Sequence, residues 1–237
     1  MIIACISDIH GNAVALDAVL RDIDGRGIRK ILCAGDLLGF GPFPNETVAL
    51  VRERGIPTVM GNYDAKVLKF PRKKAAYKRK KRTESYQSFK WTYKHLTEEN
   101  REFVSSLPFS YEETIDGVAV LMAHGSMRSY KDYIPEATTA RELAGLLMDR
   151  VPDLFITGHT HVPFFVDRGS IHVAGCGSAG KPVEGSPDVS YVIVSDGGGL
   201  SGEIVRVAYD VERLYAAVID SGLPPVFAEQ FLHGIGH

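Results

Sequence analysis

Two histidines, His159 and His161, stand one residue apart in the stretch FITGHTHVPF. In an extended segment, residues i and i+2 project to the same side, so the two imidazoles could share one ion. Imidazole nitrogen binds Zn, Mn, Fe and Ni well. The competing interpretation is a loop feature that binds nothing. The rest of the chain decides between the two.

Five short apolar runs end in the same way, at polar residues beside glycine. A run of four to six apolar residues with such an ending is typical of a buried strand. Candidate metal ligands follow every run: Asp8 and His10 follow IIACI, Asp36 follows ILCA, Asn62 and Asp64 follow PTVM, His124 follows VAVLMA, and His159 and His161 follow LFIT.

Helical patterns separate the first of these runs. NAVALDAVLRDI has one apolar face behind a predicted N-cap at Asn12, and NETVALVRE follows the second run. Alternation of strand and helix predicts parallel strands, whose carboxyl ends form the ligand site of an open α/β sheet. We therefore expect all five endings at one sheet edge, which makes the candidate ligands neighbours.

After about residue 163 the alternation of strand and helix patterns gives way to short strand patterns that follow one another. FFVDR, IHVAG, SYVIVSD and GEIVRVAYD predict antiparallel strands of a second sheet. DVERLYAAVIDSG and VFAEQFLHG predict two amphipathic helices on the outside. The whole chain, 1–237, is expected to form one domain.

The composition excludes several classes of protein. With 45% hydrophobic and 24% charged residues, the chain resembles a water-soluble globular protein, and no apolar run reaches the roughly 18 residues of a membrane span. No signal-peptide pattern opens the sequence, so a cytoplasmic protein with no membrane partner is expected. Three cysteines do not suggest a disulfide framework: Cys5 and Cys33 lie in apolar runs as buried thiols, and Cys176 is left open.

The number of candidate ligands points to two metal ions. Two carboxylates, one amide and four imidazoles exceed what one ion needs. Two-metal sites require a bridging carboxylate and suit displacement at phosphorus, and Asp36 is the natural bridge. Oxygen and nitrogen donors admit Fe, Zn, Ni, Co or Mg, with Mn as the first choice. The predicted ligands are Asp8, His10, Asp36, Asn62, His124, His159 and His161.

Five motifs together resemble the calcineurin-like metallophosphoesterases. They are DIHGN at 8–12, GDLLGFGP at 35–42, GNYD at 61–64, HGS at 124–126 and GHTH at 158–161. The later GSAGKPVEGSPDVSYVIV resembles a segment of bacterial members related to diadenosine tetraphosphatases. The resemblance implies an α/β fold, a four-layer α/β/β/α sandwich of two mixed sheets flanked by helices.

The resemblance also implies a mechanism. A hydroxide bridging two divalent ions would attack the phosphorus of a small phosphorylated substrate, a phosphodiester or a phosphomonoester. Catalytic roles then fall to Asp8, His10, Asp36, Asn62, Asp64 and His124. The implied ligands of the first ion are Asp8, His10, Asp36 and His161, and those of the second are Asp36, Asn62, His124 and His159. The alternatives are a non-catalytic metal-binding interaction scaffold and a nuclease-like enzyme that uses a basic patch.

One position departs from the family pattern. Many phosphomonoesterases of this superfamily carry, after Gly-Asn, a histidine thought to protonate the leaving group, whereas this chain has Tyr63 followed by Asp64. A tyrosine is poorly matched to proton donation at neutral pH. Asp64 is expected to orient neighbouring groups such as His10 or His124. Since a diester with a good leaving group suffers least, the departure favours phosphodiester-type substrates.

A basic segment, RKKAAYKRKKR at 72–82, lies within a predicted helical, cap-like region at about 66–107. It could attract a polyanion, or it could be a solvated surface. The aromatic residues of the following ESYQSFKWTYKHL have helical spacing typical of core packing, with Trp91 outside that stripe.

Residues 175–182, GCGSAGKP, nearly match a nucleotide-binding phosphate loop. Pro182 replaces the required hydroxyl residue, which argues against that loop. The resemblance implies that this segment forms a loop at the active edge, where Lys181 is expected as a phosphate contact.

Overall fold

The computed structural model describes residues 1–236. Its elements, in chain order, are β1 (Ile2–Ile6), α1 (Ala13–Gly25), β2 (Lys30–Cys33), α2 (Pro44–Glu53), α3 (Asn62–Leu68), α4 (Phe70–Lys80), α5 (Thr83–His95), α6 (Glu98–Ser106), β3 (Ser110–Ile115), β4 (Val118–Ala123), α7 (Ala140–Leu146), β5 (Leu154–Thr157), β6 (Pro163–Asp167), β7 (His172–Cys176), β8 (Val189–Asp196), β9 (Leu200–Val207), α8 (Val211–Asp220) and α9 (Pro225–His233).

The strands form two mixed sheets. The first has the order β2-β1-β8-β9, in which β1 and β2 run parallel and the other pairs run antiparallel. The second has the order β3-β4-β5-β7-β6, in which β4, β5 and β7 run parallel and both edge strands run antiparallel. Parallel strands therefore occupy part of each sheet, and both sheets end in residues that face one site.

Three apolar cores separate four layers. Ile3 and Val192 of the first sheet pack with Val120 and Ile156 of the second, because alternate strand residues face the space between the sheets. The opposite face of the first sheet packs on α1 and α2, and that of the second sheet packs on α7. This arrangement confirms the predicted α/β/β/α sandwich.

Three expectations about the strands are wrong. The strands after residue 163 do not form an antiparallel sheet of their own: β6 and β7 join the second sheet, where β7 runs parallel to β5, and β8 and β9 join the first. The ligand-bearing runs do not share one sheet: β1 and β2 belong to the first sheet, whereas β4 and β5 belong to the second. The reason is that β8 pairs with β1 and β9 pairs with β8, so these two strands take the place expected for the later runs. The run PTVM forms only an isolated bridge between Thr58 and Cys33, because α3 begins directly after it at Asn62.

The helices follow the sequence patterns closely. The side chain of Asn12 accepts a hydrogen bond from the backbone N–H of Ala15 and caps α1 as predicted. In the region at about 66–107, Phe70 and Phe89 enter the same core as β1 and α1. Trp91 packs near α8 and α9 and donates its indole N–H to the carbonyl of Ser221.

All three cysteines are buried, including Cys176, which lies in the core between the two sheets. Burial raises the pKa of each thiol, so these side chains behave as small apolar groups. Among residues 1–236, none of the helices has the length and apolar character that crossing a bilayer requires.

Candidate metal centre

The loops that carry the candidate ligands have unusual backbone conformations. Asp8, His10, Asp36, His159 and His161 all have positive φ, between 54° and 68°. Residues other than glycine rarely adopt this left-handed backbone conformation, because it is strained. The strain persists only where the surrounding structure enforces the conformation. His159 and His161 are therefore not in an extended segment, as the i, i+2 argument assumed. Their turn sends the two rings toward different partners.

Glycines beside these ligands allow the loops to pack closely. A Cβ on Gly61 would lie 2.1 Å from Oδ1 of Asp36, and a Cβ on Gly158 would lie 2.0 Å from Oγ of Ser7. The backbone of the Asp36 loop also binds the β1 loop, since its carbonyl accepts hydrogen bonds from the N–H groups of Ile9 and His10. The ligands are thus held by close backbone packing as well as by their own contacts.

One group of candidate ligands consists of Asp8, His10 and His161. Nε2 of His10 lies 3.2 Å from Nε2 of His161, and Nε2 of His161 lies 3.3 Å from Oδ1 of Asp8. One donor atom from each of the three residues falls within 4.8 Å of the others. These residues come from both sheets, so the group exists only in the folded protein.

The remaining ligands gather around Asp36. Its Oδ2 lies 3.7 Å from Nε2 of His10 and 3.4 Å from Nε2 of His124. The amide nitrogen of Asn62 lies 3.3 Å from the same oxygen and 2.9 Å from Nδ1 of His159. A 180° rotation of the Asn62 amide would present its oxygen to these groups instead. Asp36 lies between the two halves of the cluster, the position expected of the bridge.

Backbone carbonyls orient three of the histidines. Nδ1 of His10, His124 and His161 lies 3.0, 2.8 and 2.6 Å from the carbonyl oxygens of Leu38, Ala34 and Lys181, respectively. A carbonyl accepts, so each Nδ1 carries the proton and each Nε2 presents a lone pair to the cluster. This arrangement is common for metal-binding histidines, whose second nitrogen donates to a carbonyl or carboxylate.

The charges of the cluster depend strongly on one another. Burial alone would raise the pKa of Asp8, but the nearby imidazoles of His161 and His10 lower it well below its usual range. Burial opposes protonation of His124, yet the nearby Asp36 carboxylate raises its pKa to about 9. Burial and the neighbouring His124 lower the pKa of His159 to about 4. Cations are therefore favoured between these groups, whether they are protons or metal ions.

One atom in particular fits a metal ion. Oδ1 of Asp8 is buried and has no hydrogen-bond partner among residues 1–236. Its nearest nitrogens are the Nε2 atoms of His161 and His10, at 3.3 and 3.7 Å, which present lone pairs when Nδ1 is protonated. A buried carboxylate oxygen that faces lone pairs is costly unless a cation lies among them. The donor set of carboxylate oxygen and imidazole nitrogen suits a divalent ion.

Comparison with known proteins places this geometry in a family. The model of the calcineurin-like phosphoesterase superfamily domain matches residues 1–196. The chain belongs to the calcineurin-like phosphoesterase superfamily. The family predicted from the five motifs is thereby confirmed.

Relatives of this calcineurin-like phosphoesterase extend over the full chain. Uncharacterized protein MJ0912 of Methanocaldococcus jannaschii is 34% identical over 254 residues, which cover 98% of both proteins. The crystal structure of a metallophosphoesterase from Sphaerobacter thermophilus is 29% identical, with a TM-score of 0.80 over 99% of this chain and 100% of that chain. The hypothetical protein PH1004 from Pyrococcus horikoshii, 20% identical, has the same fold with a TM-score of 0.88 over 100% of this chain and 99% of that chain.

Among residues 1–236, Asp64 of this calcineurin-like phosphoesterase makes no hydrogen bond to His10 or His124 and instead holds the backbone beside them. Its carboxylate accepts hydrogen bonds from the backbone N–H groups of Asp36, Leu38 and Gly61, at 3.0, 3.0 and 2.9 Å. It acts on His10 only indirectly, through the carbonyl of Leu38. Burial and then repulsion from Asp36 raise the pKa of Asp64 to about 7.

Tyr63 lies beside the cluster as its position in the sequence suggested. Its backbone N–H donates to Oδ1 of Asp36 at 2.6 Å, and its ring packs edge-on against His10 with centroids 5.1 Å apart. Burial, followed by the charge of Asp36, raises the pKa of its hydroxyl above the usual value. Tyr63 is therefore a weaker acid here than in water.

The cluster opens into a cavity of about 320 Å³. Lys181 lines it together with Phe40, Tyr63 and Tyr133, and the ring of Tyr133 lies over His159 with centroids 4.3 Å apart. The lysine is thus near the active edge, as expected. Tyr133 is absent from the predicted site, because nothing in the local sequence distinguishes it from other exposed aromatic residues.

Lys66 is a second site residue that the motifs do not reveal. Its Nζ donates to the side-chain oxygen of Asn62 and lies 4.3 Å from the centroid of the Tyr63 ring. Burial lowers its pKa to about 8, against the attraction of Asp36. The available signal was its spacing, since Lys66 follows Asn62 by one helical turn in α3.

The basic segment lies on the surface, whereas Arg128 and two other histidines have contacts of their own. Most of the basic segment 72–82 is exposed on α4. Lys81, which belongs to the segment and follows the helix, is close enough to Lys66 to contribute to the lowering of its pKa. Arg128 is paired with Asp132 at 3.5 Å. His172 stacks on Phe165. His233 pairs with Glu229, and His237 is outside the described residues.

Proposed function

We propose that this protein is a metal-dependent phosphoester hydrolase that uses two divalent ions, with Mn as the first choice. The observation that supports this most directly is the unpartnered Oδ1 of Asp8 among imidazole lone pairs. The family provides the reaction class, and the two halves of the cluster provide room for two ions. A bridging Asp36, with Asp8, His10 and His161 on one side and Asn62, His124 and His159 on the other, accounts for every predicted ligand.

In the proposed reaction the metal ions and the protein side chains would have different roles. Bound divalent ions would supply an activated water nucleophile and offset the charge of the phosphoryl group. The protein holds the Nε2 lone pairs of His10, His124 and His161 in place through their Nδ1 hydrogen bonds. The cavity beside the cluster admits a small phosphorylated substrate.

The state of Tyr63 affects which leaving groups suit the site. A tyrosine whose pKa is raised by burial is a poor proton donor to a leaving oxygen. Esters with acidic leaving groups, such as aryl diesters, need the least protonation. We therefore retain the preference for phosphodiester-type substrates as part of the proposal.

The test of this function is hydrolysis of p-nitrophenyl phosphate and bis-p-nitrophenyl phosphate, each with added Mn²⁺ or with chelator. We expect turnover that requires metal, and a fall of about 100-fold in His161→Ala, because one ion loses a ligand. His233→Ala is the matched control, since His233 lies on the surface beside Glu229. Because both esters release the same leaving group, a diester-to-monoester ratio well below one would contradict the preference for diesters itself.

The non-catalytic scaffold remains the second candidate, and the same experiment separates it. A scaffold of this family would bind metal or a partner without turnover. A folded protein that contains metal but hydrolyses neither ester with any of Mn, Fe, Zn, Ni, Co or Mg would support the scaffold and contradict the hydrolase.

The basic segment 72–82 leads to a prediction about polyanions. Its cations on α4 are exposed, and Lys81 lies near Lys66 beside the cluster. We expect a labelled single-stranded oligonucleotide to bind with a strong salt dependence. Replacing Lys78 and Lys80 with glutamine should flatten the slope of log K against log salt by about 1.4, because two phosphate contacts are lost at about 0.7 each for a single strand.

The matched control for this prediction replaces two exposed cations elsewhere, Arg29 and Arg213, with glutamine. This variant should keep the wild-type salt slope. Equal slopes for all three proteins would show that the segment is a solvated surface rather than a polyanion site, and would also remove the support for a nuclease-like activity.

A further inference from the structure

Lys181 is a buried cation beside the candidate metal centre. The residue is only 2% exposed, and it lines the cavity that also contains Asp36, His159 and His161. Its Nζ lies 4.8 Å from the centroid of the Phe40 ring. Among residues 1–236, no carboxylate lies within ion-pair distance of this ammonium group and no hydrogen bond reaches it.

The loop that carries Lys181 is fixed to the ligands. The backbone N–H of Lys181 donates to Oγ of Ser178 at 2.7 Å, and the hydroxyl of Ser178 donates to the carbonyl of Asp8 at 2.7 Å. The carbonyl of Lys181 accepts the Nδ1 hydrogen of His161 at 2.6 Å. At Gly180 a Cβ would lie 1.9 Å from the carbonyl oxygen of Ile9, so only glycine permits this approach. The lysine thus has a defined position relative to the cluster.

An ammonium group buried without a carboxylate at ion-pair distance is costly, and the more distant charge of Asp8 and the ring of Phe40 offset only part of that cost. An anion that enters the cavity would offset this desolvation cost by pairing with the ammonium group. The cavity is also where a phosphoryl group must lie to reach the cluster. Hydrogen bonds between ammonium and phosphate oxygens are among the stronger ones in proteins.

We infer that Lys181 binds a charged non-bridging oxygen of the substrate and thereby favours phosphoryl groups with two negative charges over those with one. This inference rests on the proposed phosphoester hydrolysis and names the residue that sets the substrate's charge. A monoester offers an additional charged oxygen where a diester has an ester oxygen. Lys181 therefore acts against the preference for diesters that Tyr63 creates, and its removal shifts the balance toward diesters.

The test compares wild-type protein and Lys181→Met on two esters with the same leaving group. Near neutral pH, p-nitrophenyl phosphate carries two charges and bis-p-nitrophenyl phosphate carries one. With Mn²⁺ present, we expect kcat/KM for the monoester to fall about 10- to 100-fold, as for the loss of a charge-assisted hydrogen bond, and that for the diester to fall by less than about threefold. Lys90→Met, an exposed lysine on α5, is the matched control and should change neither value.

Two further measurements separate binding of the phosphoryl group from a structural role. The bound metal, measured by elemental analysis, should be the same in Lys181→Met and wild type. Inhibition by inorganic phosphate should weaken in the variant by the same factor as monoester turnover. Loss of metal, or unchanged inhibition by phosphate, would show that Lys181 only positions the His161 loop.

The wild-type protein provides a test that does not depend on a folded variant. Inorganic phosphate should inhibit at least about tenfold more strongly than dimethyl phosphate, which has the same core and one charge. Equal inhibition, or equal losses on both esters in Lys181→Met, would overturn the inference while leaving the hydrolase in place. Absence of metal-dependent turnover on both esters in the wild type would instead overturn the proposed function.

Discussion

Replacing Asp36 with asparagine is expected to lower metal-dependent turnover by at least about 1,000-fold, because ions at such sites contribute several kcal/mol to transition-state stabilisation. Oδ2 of Asp36 lies 3.7 Å from Nε2 of His10 and 3.4 Å from Nε2 of His124, so it faces both halves of the cluster. Asparagine removes the charge at the shared position. Because Asp36→Asn would weaken the binding of both ions, its turnover should fall further than that of His161→Ala, which removes a ligand of one ion only.

The readouts are turnover of p-nitrophenyl esters and the number of bound ions by elemental analysis. The asparagine side chain would retain an oxygen to accept the N–H of Tyr63, which Asp36 accepts at 2.6 Å, so the loop should stay folded. Asp17→Asn is the control, since Asp17 is a surface residue paired with Arg21. An Asp36→Asn protein that retains two ions and more than about a tenth of its activity would contradict the bridging role.

The sequence contained enough information to find the residues that gather at the cluster, although not the sheets that carry them. Each apolar run ended in polar residues, and this pattern correctly located Asp8, Asp36, His124 and the His159 turn near one another. Which strands pair is set by contacts between distant residues. The pairing of β1 with β8, across most of the chain, leaves no local trace in the sequence. Hence the prediction of a single sheet was wrong, although the prediction that these residues lie close together was correct.

The cations and aromatic residues around the cluster were harder to predict. Lys181 was expected near the site because of its segment, but its burial without a carboxylate partner depends on the approach of Gly180 to Ile9. Tyr133 reaches the cluster from a loop without a motif, whereas Lys66 reaches it from α3, one turn after Asn62. Side chains that enter a site from elements without a motif require three-dimensional contacts to be recognised.

The backbone strain at the ligands gives Asp64 a structural role. Asp36 has positive φ, and Asp64 accepts the N–H groups of Asp36, Leu38 and Gly61 on both sides of the β2 loop. We predict that Asp64→Ala lowers the free energy of unfolding by about 3 kcal/mol or more, since three buried donors lose their acceptor and each costs about 1–3 kcal/mol. Asp153→Ala, which removes an exposed acceptor of one N–H, should cost about 1 kcal/mol or less.

Thermal unfolding in the presence of chelator measures this effect without a contribution from bound metal. A loss of about 3 kcal/mol corresponds to a fall in Tm of about 6–12 °C for a chain of this size. Asp64→Asn keeps an oxygen for Asp36 and Gly61 but turns an N–H toward that of Leu38, so it should fall between alanine and wild type. If Asp64→Ala instead unfolds at the wild-type temperature but binds metal poorly, the carboxylate is tuning the cluster rather than holding the loop. The order alanine, asparagine, wild type would show that the strained loop is held by accepted backbone hydrogen bonds.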